Sequence, residues 1–116
     1  MPEDDVQSQM AEEIKKLFKK FDIGGEYGPI HDRQEWDQRV AVLPAQDAEL
    51  VQELARLADL WKFFHERKQK LGGDVVSQIA HLHELPVPER IERLRKINLT
   101  LMERITDAGE DPRFRN

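Results

Sequence analysis

AQDAELVQELARLADLWKFFHERKQKL, residues 45–71, places Leu50, Leu54, Leu57, Trp61, Phe64, Lys68 and Leu71 in alternating steps of four and three. That spacing repeats every seven residues, close to two helical turns, so these side chains line one seam of an α-helix. The stretch predicts a helix of about 40 Å at 1.5 Å per residue, closed by Gly72-Gly73. Leu60 and Phe63 widen the seam, as in a helix that touches more than one neighbour. In a chain of 116 residues, a helix of that length is expected to project from the body or to meet a partner.

A second seam follows. Val87, Ile91, Leu94, Asn98, Leu101, Ile105 and Ala108 step by four and three, with Ile97, Leu99 and Met102 widening the stripe. Pro88 suits the first turn, Glu89 suits the positive end of the helix dipole, and Gly109 suits the C-terminal cap.

Three further helices complete the reading. Val6, Met10, Ile14, Leu17, Phe18 and Phe21 recur at helical spacing between Asp5 and Asp22, opposite a charged face on which Glu12 and Lys16 stand four apart. Gly24-Gly25 is the expected stop. Three glycines and a proline between Gly24 and His31 predict a loop. Asp32 followed by Glu35 has capping-box spacing, and Trp36, Val40 and Leu43 then define a short helix ended by Pro44. Asp74 is the expected cap of another, with Val75, Val76, Ile79 and Leu82 on its apolar face before Pro86.

The fold class is therefore all-α: a small bundle of four to five helices with two long heptad-patterned helices packed together and the first helix covering them. Short connections at Gly72-Gly73 and Pro86 favour antiparallel sequence neighbours. Residues 1–109 read as a single helical domain and residues 110–116 as a C-terminal tail, with Phe114 able to dock on the body.

Composition narrows the function classes. With 39 % hydrophobic and 35 % charged residues, a mean hydropathy of -0.71 and no apolar run of about 18 residues, no membrane span is expected. The start, Met1-Pro2-Glu3-Asp4-Asp5, is acidic where a secretory signal is basic. The absence of cysteine removes disulfides and thiolate chemistry and fits a reducing compartment, so the expected location is cytoplasmic. Net charge is -5, with residues 1–61 at -7 and residues 62–116 at +2. Such a balance disfavours general affinity for phosphate backbones.

Chemical signatures fail on spacing. His81 and His83 stand about 200° apart on a helix, His65-Glu66 is followed by Gln69 where a zinc-binding helix needs histidine, and no metal is expected. Ser8, Ser77, Thr100 and Thr106 sit in no nucleophile elbow. Gly24-Gly25-x-x-Gly28 lacks the Lys-Ser/Thr of a phosphate cradle. No cofactor is expected, and Asn98-Leu99-Thr100 inside a helix is a chance match to a glycosylation acceptor.

The leading expectation is a non-enzymatic helical protein–protein interaction or adaptor protein, self-associating or bound to another helical protein. Leu57, Trp61, Phe64, Leu94, Asn98, Leu101 and Ile105 are its candidate interface residues. Asn98 has two readings: a buried amide that fixes register, for instance across a dimer axis, or a side chain at a wet edge of a slightly rotated helix. Two rivals remain. One is a DNA-binding regulator using Arg90, Arg93, Arg95, Lys96 and Arg104, although glutamates interleave with them and the helix-turn-helix glycine turn is missing. The other is a small-molecule binder or enzyme using the loop at residues 24–33, with Tyr27, His31, Asp32 and Arg33.

Overall fold

The computed structural model describes residues 3–25 and 28–108. Among them are five α-helices: α1 (Glu3–Lys20), α2 (Arg33–Ala41), α3 (Ala45–Glu66), α4 (Gly73–Ala80) and α5 (Val87–Ala108). A 3-10 turn at Leu82–Glu84 joins α4 to α5. The connection from α1 to α2 carries a two-residue antiparallel bridge, β1 (Gly24–Gly25) with β2 (Gly28–Pro29). The fold is all-α and bundle-like. Tyr27, Gly109 and the tail at residues 110–116 lie outside the described residues.

α3 is the central element. Its buried residues Leu50, Val51, Leu54, Leu57, Leu60, Trp61, Phe63 and Phe64 turn through about 240° of its circumference at 100° per residue, so it packs on several sides at once. Its main neighbour is α5, and α1 lies across both α3 and α4. Arg95 pairs with Glu49 at 3.1 Å and Asn98 reaches Glu53 at 2.9 Å. The two contacts advance together along both chains, so α3 and α5 run parallel, with α4 returning the chain between them.

α3 is shorter than the heptad pattern predicts. It ends at Glu66 because Lys68 adopts φ 55°, in the left-handed region. Lys68 N–H then bonds to His65 O at 3.0 Å and Gln69 N–H to Phe64 O at 2.9 Å, the paired bonds of a Schellman cap. The run Arg67-Lys68-Gln69-Lys70 offers the core nothing apolar, and Leu71 folds back to become fully buried. At 22 residues the helix is about 33 Å long, within a body of 37 × 36 × 24 Å, so it does not project.

α1 ends the same way. Asp22 has φ 56°, its N–H bonds to Lys19 O at 3.2 Å, and Ile23 N–H bonds to Phe18 O at 2.9 Å. The helix thus stops four residues before Gly24, on an aspartate in the left-handed conformation rather than on the glycines. Arg39 of α2 holds that aspartate, donating to its carboxylate, to its carbonyl oxygen at 3.2 Å and to Glu35 at 3.1 Å. The Glu35 carboxylate, then Asp22, raises the Arg39 pKa above its ordinary value. Asp32 caps α2 as its spacing predicts, accepting from Glu35 N–H at 3.1 Å. The reciprocal half of the capping box is replaced by the Glu35–Arg39 pair. Trp36 anchors α2 edge-on to Phe18, with ring centroids 5.7 Å apart.

The α3–α4 connection is clasped from two directions. Leu71 N–H donates to the Glu3 carboxylate at 2.8 Å, and Leu71 O accepts from the Arg104 guanidinium. Asp74 does not cap α4; it pairs with Arg104 at 3.1 Å. The N-cap is Gly72, at φ 99°. A side chain there would meet Asp74 Oδ1 at 2.9 Å and Arg104 Nη1 at 3.0 Å, so glycine satisfies both backbone and space.

Candidate functional site

All seven residues read as an interface lie in the core of one chain. Leu57, Leu94 and Leu101 have no solvent exposure, and Trp61, Phe64, Ile105 and Asn98 are each 5 % exposed or less. The two seams meet each other through α3 and α5. Asn98 takes the buried reading at 2 % exposure, and its partner is in the same chain: Nδ2 donates to Glu53 O at 3.1 Å and to Glu53 Oε1 at 2.9 Å. Its Oδ1 has no hydrogen-bond partner among the described residues. Leu99 does not widen the seam, being 57 % exposed.

The basic face of α5 is largely committed to the fold. Arg90 donates to the carbonyls of Leu82 at 3.2 Å and Leu85 at 3.0 Å, closing the 3-10 turn. Arg95 pairs with Glu49 and Glu92, and Arg104 clasps the Leu71 turn. Arg93 and Lys96 remain, three residues apart on α5 and interleaved with Glu89 and Glu92. In the loop at residues 24–33, Asp32 is spent on the α2 cap and Arg33 pairs with Asp37 at 3.3 Å. The concavity beside it, about 550 Å³, is open and is lined by Asp32 and residues of α2 such as Gln34, Gln38 and Arg39. Among the described residues, no set of polar groups converges there on a reacting atom.

A larger open concavity of about 730 Å³ runs between α1 and α4. It gathers Ser77, His81 and Glu84, with His81 Nδ1 3.1 Å from Glu84 Oε2. No hydrogen bond joins Ser77 to His81 among the described residues, so a nucleophile–base pair is not assembled. Among the described residues no group of three or more His, Cys, Asp and Glu is placed to hold a metal ion.

A predominantly apolar recess of about 320 Å³ forms a groove along α1. Met10, Ile14 and Leu17 form one wall, and Leu50, Leu54 and Leu82 form the floor and the other. Met10, Ile14, Leu50 and Leu54 belong to the core yet keep 5–9 % exposure; Leu17 is half-buried. The edge is charged: Lys16, Lys20 and Arg90 against Glu13, with His83 beside them. Glu12 pairs with Lys15 at 3.3 Å rather than with Lys16, leaving the Lys16 ammonium without an ion-pair partner among the described residues. Lys20 lies over the Phe21 ring, 5.5 Å from its centroid.

Family models, characterised proteins and solved structures give no match to this chain.

The reading from residues alone missed this groove. The available signal was on α1, where Leu17, Glu13, Lys20 and Lys16 follow one another around one flank at 100° per residue. Leu82, which closes the groove, comes from a turn that no helical period brings to α1.

Proposed function

We propose that this protein acts by binding another helical protein, as an interaction or adaptor module without chemistry of its own. The observation that carries the reading is the groove along α1, where core leucines and a methionine stay in contact with solvent in a recess of about 320 Å³. Grooves of this kind receive the apolar face of an amphipathic helix through anchors spaced i, i+4 and i+7. The described residues of the polar concavities beside α2 and between α1 and α4 bring together no acid, base and nucleophile, which favours binding over catalysis. Self-association is the variant of this reading in which a second copy occupies the groove, since the heptad seams are filled within one chain. A cytoplasmic setting suits a cysteine-free chain in which no described helix is long and apolar enough to cross a membrane.

The test is an NMR titration of the ¹⁵N-labelled protein with a neutral amphipathic peptide of about fourteen residues, leucine on one face and glutamine on the other. Saturable shifts confined to Met10–Lys20, Leu50–Leu54 and Leu82–Arg90 are expected. Shifts scattered over the surface, or none at millimolar peptide, overturn the reading.

A further inference from the structure

We infer that the α1 groove selects an amphipathic helix with an acidic flank, carried by a partner protein. The inference rests on the docking reading above and adds the charge of the occupant. Three fixed cations, Lys16, Lys20 and Arg90, border the apolar floor against one carboxylate, Glu13. The cations differ in how they are engaged. Arg90 is locked onto the Leu82 and Leu85 carbonyls and contributes charge without a free donor set. Lys16 and Lys20 are exposed on α1, four residues apart, so their Cα atoms stand about 6 Å apart along the helix axis on one flank, with the Lys20 ammonium over the Phe21 ring.

That edge contrasts in sign with the half of the chain to which α1 belongs. Residues 1–61 carry a net charge of -7, so a basic border here is a local reversal of sign that attracts an acidic segment and repels a basic one. The wall from Met10 to Lys20 spans about 15 Å, or three helical turns, which sets the length of the bound segment. The apolar surface is recessed between two walls rather than raised, which suits an inserted helix and not a flat lipid surface. A second copy of this chain is the weaker occupant, because its two long apolar seams are buried inside and offer no free apolar helix face.

The experiment compares three fluorescein-labelled peptides that share one leucine face and carry glutamate, glutamine or lysine on the flanks, read by anisotropy and mapped by NMR. The glutamate peptide is expected to bind at least about tenfold more tightly than the lysine peptide and to weaken as salt rises. The double variant Lys16→Gln, Lys20→Gln should lose most of that preference with unchanged melting, because both side chains are exposed. Lys16→Glu with Lys20→Glu should invert it, so that the lysine peptide binds better. Equal binding of all three peptides in the groove overturns the acidic selectivity and leaves the docking reading standing. Absence of groove shifts with every peptide overturns both. Groove shifts that grow with protein concentration alone assign the site to a second copy, and groove-dependent sedimentation with phosphatidylserine vesicles assigns it to a membrane; either result overturns the inference.

Discussion

Asn98 presses a primary amide into the seam between α3 and α5, its nitrogen on Glu53 and its oxygen without a hydrogen-bond partner among the described residues. Only one orientation works, since turning the amide would set its oxygen against two other oxygens. The residue therefore pins the register of the two helices through a donor that no apolar side chain supplies. Asn98→Asp replaces the donor with a second carboxylate facing Glu53, and a buried like-charge contact should cost about 3 kcal/mol or more in urea unfolding at pH 7. One proton shared between the two acids relieves the repulsion. The variant should thus regain stability as pH falls from about 6 to 4, a gain absent from Asn98→Leu. Backbone conformation decides two more positions. Lys68 holds a left-handed φ of 55° with a side chain at the surface, so Lys68→Gly should stabilise by about 1 kcal/mol. Gly72→Ala should do the reverse by a larger amount, meeting both the positive φ and the Asp74 carboxylate. Thermal melts of the two variants check the pair of signs.

Helix by helix, the parts of the fold that depend on periodicity were legible in the amino-acid sequence. Every apolar position of the α5 seam from Ile91 to Ile105 is buried, and Pro88 and Asp32 sit where their chemistry placed them. Helix ends were less legible, because a left-handed cap on Asp22 or Lys68 has no strong residue signature when glycines lie a few positions further on. Asp74 was drawn from its expected cap by Arg104, thirty residues away, a tertiary preference that local pattern does not contain. Leu99 stands about 130° from the centre of the α5 seam at 100° per residue, so the helical period itself sets it outside the apolar stripe, in keeping with its exposure. The packing itself makes two sharp expectations. Leu57→Ala, at the fully buried contact of α3, should destabilise by about 2–5 kcal/mol. Leu101→Asp, at the matching depth of α5, places a carboxylate among aliphatic side chains and should leave the chain unfolded by far-ultraviolet circular dichroism at neutral pH.

At the scale of the whole molecule, the residues with the strongest interface signature in the sequence are the ones the chain uses for itself. Heptad periodicity reports that a helix face is buried and is silent on whether the covering helix belongs to the same chain. The pairing of α3 with α5 was expected from their matched seams, whereas its parallel sense, with α4 as the return, was in neither pattern; together they close both seams internally. The groove along α1 was illegible for the complementary reason: its lining comes from α1, α3, the 3-10 turn and α5, and only their meeting creates it. The claim on which the rest depends is therefore that the seams are satisfied within one chain. Light scattering after size exclusion, across a dilution series and paired with circular dichroism, measures it directly. A mass of 13.6 kDa at the lowest concentration, with helicity constant throughout, is the result this account predicts. A dimer that persists on dilution and loses its helicity when it finally dissociates would contradict it.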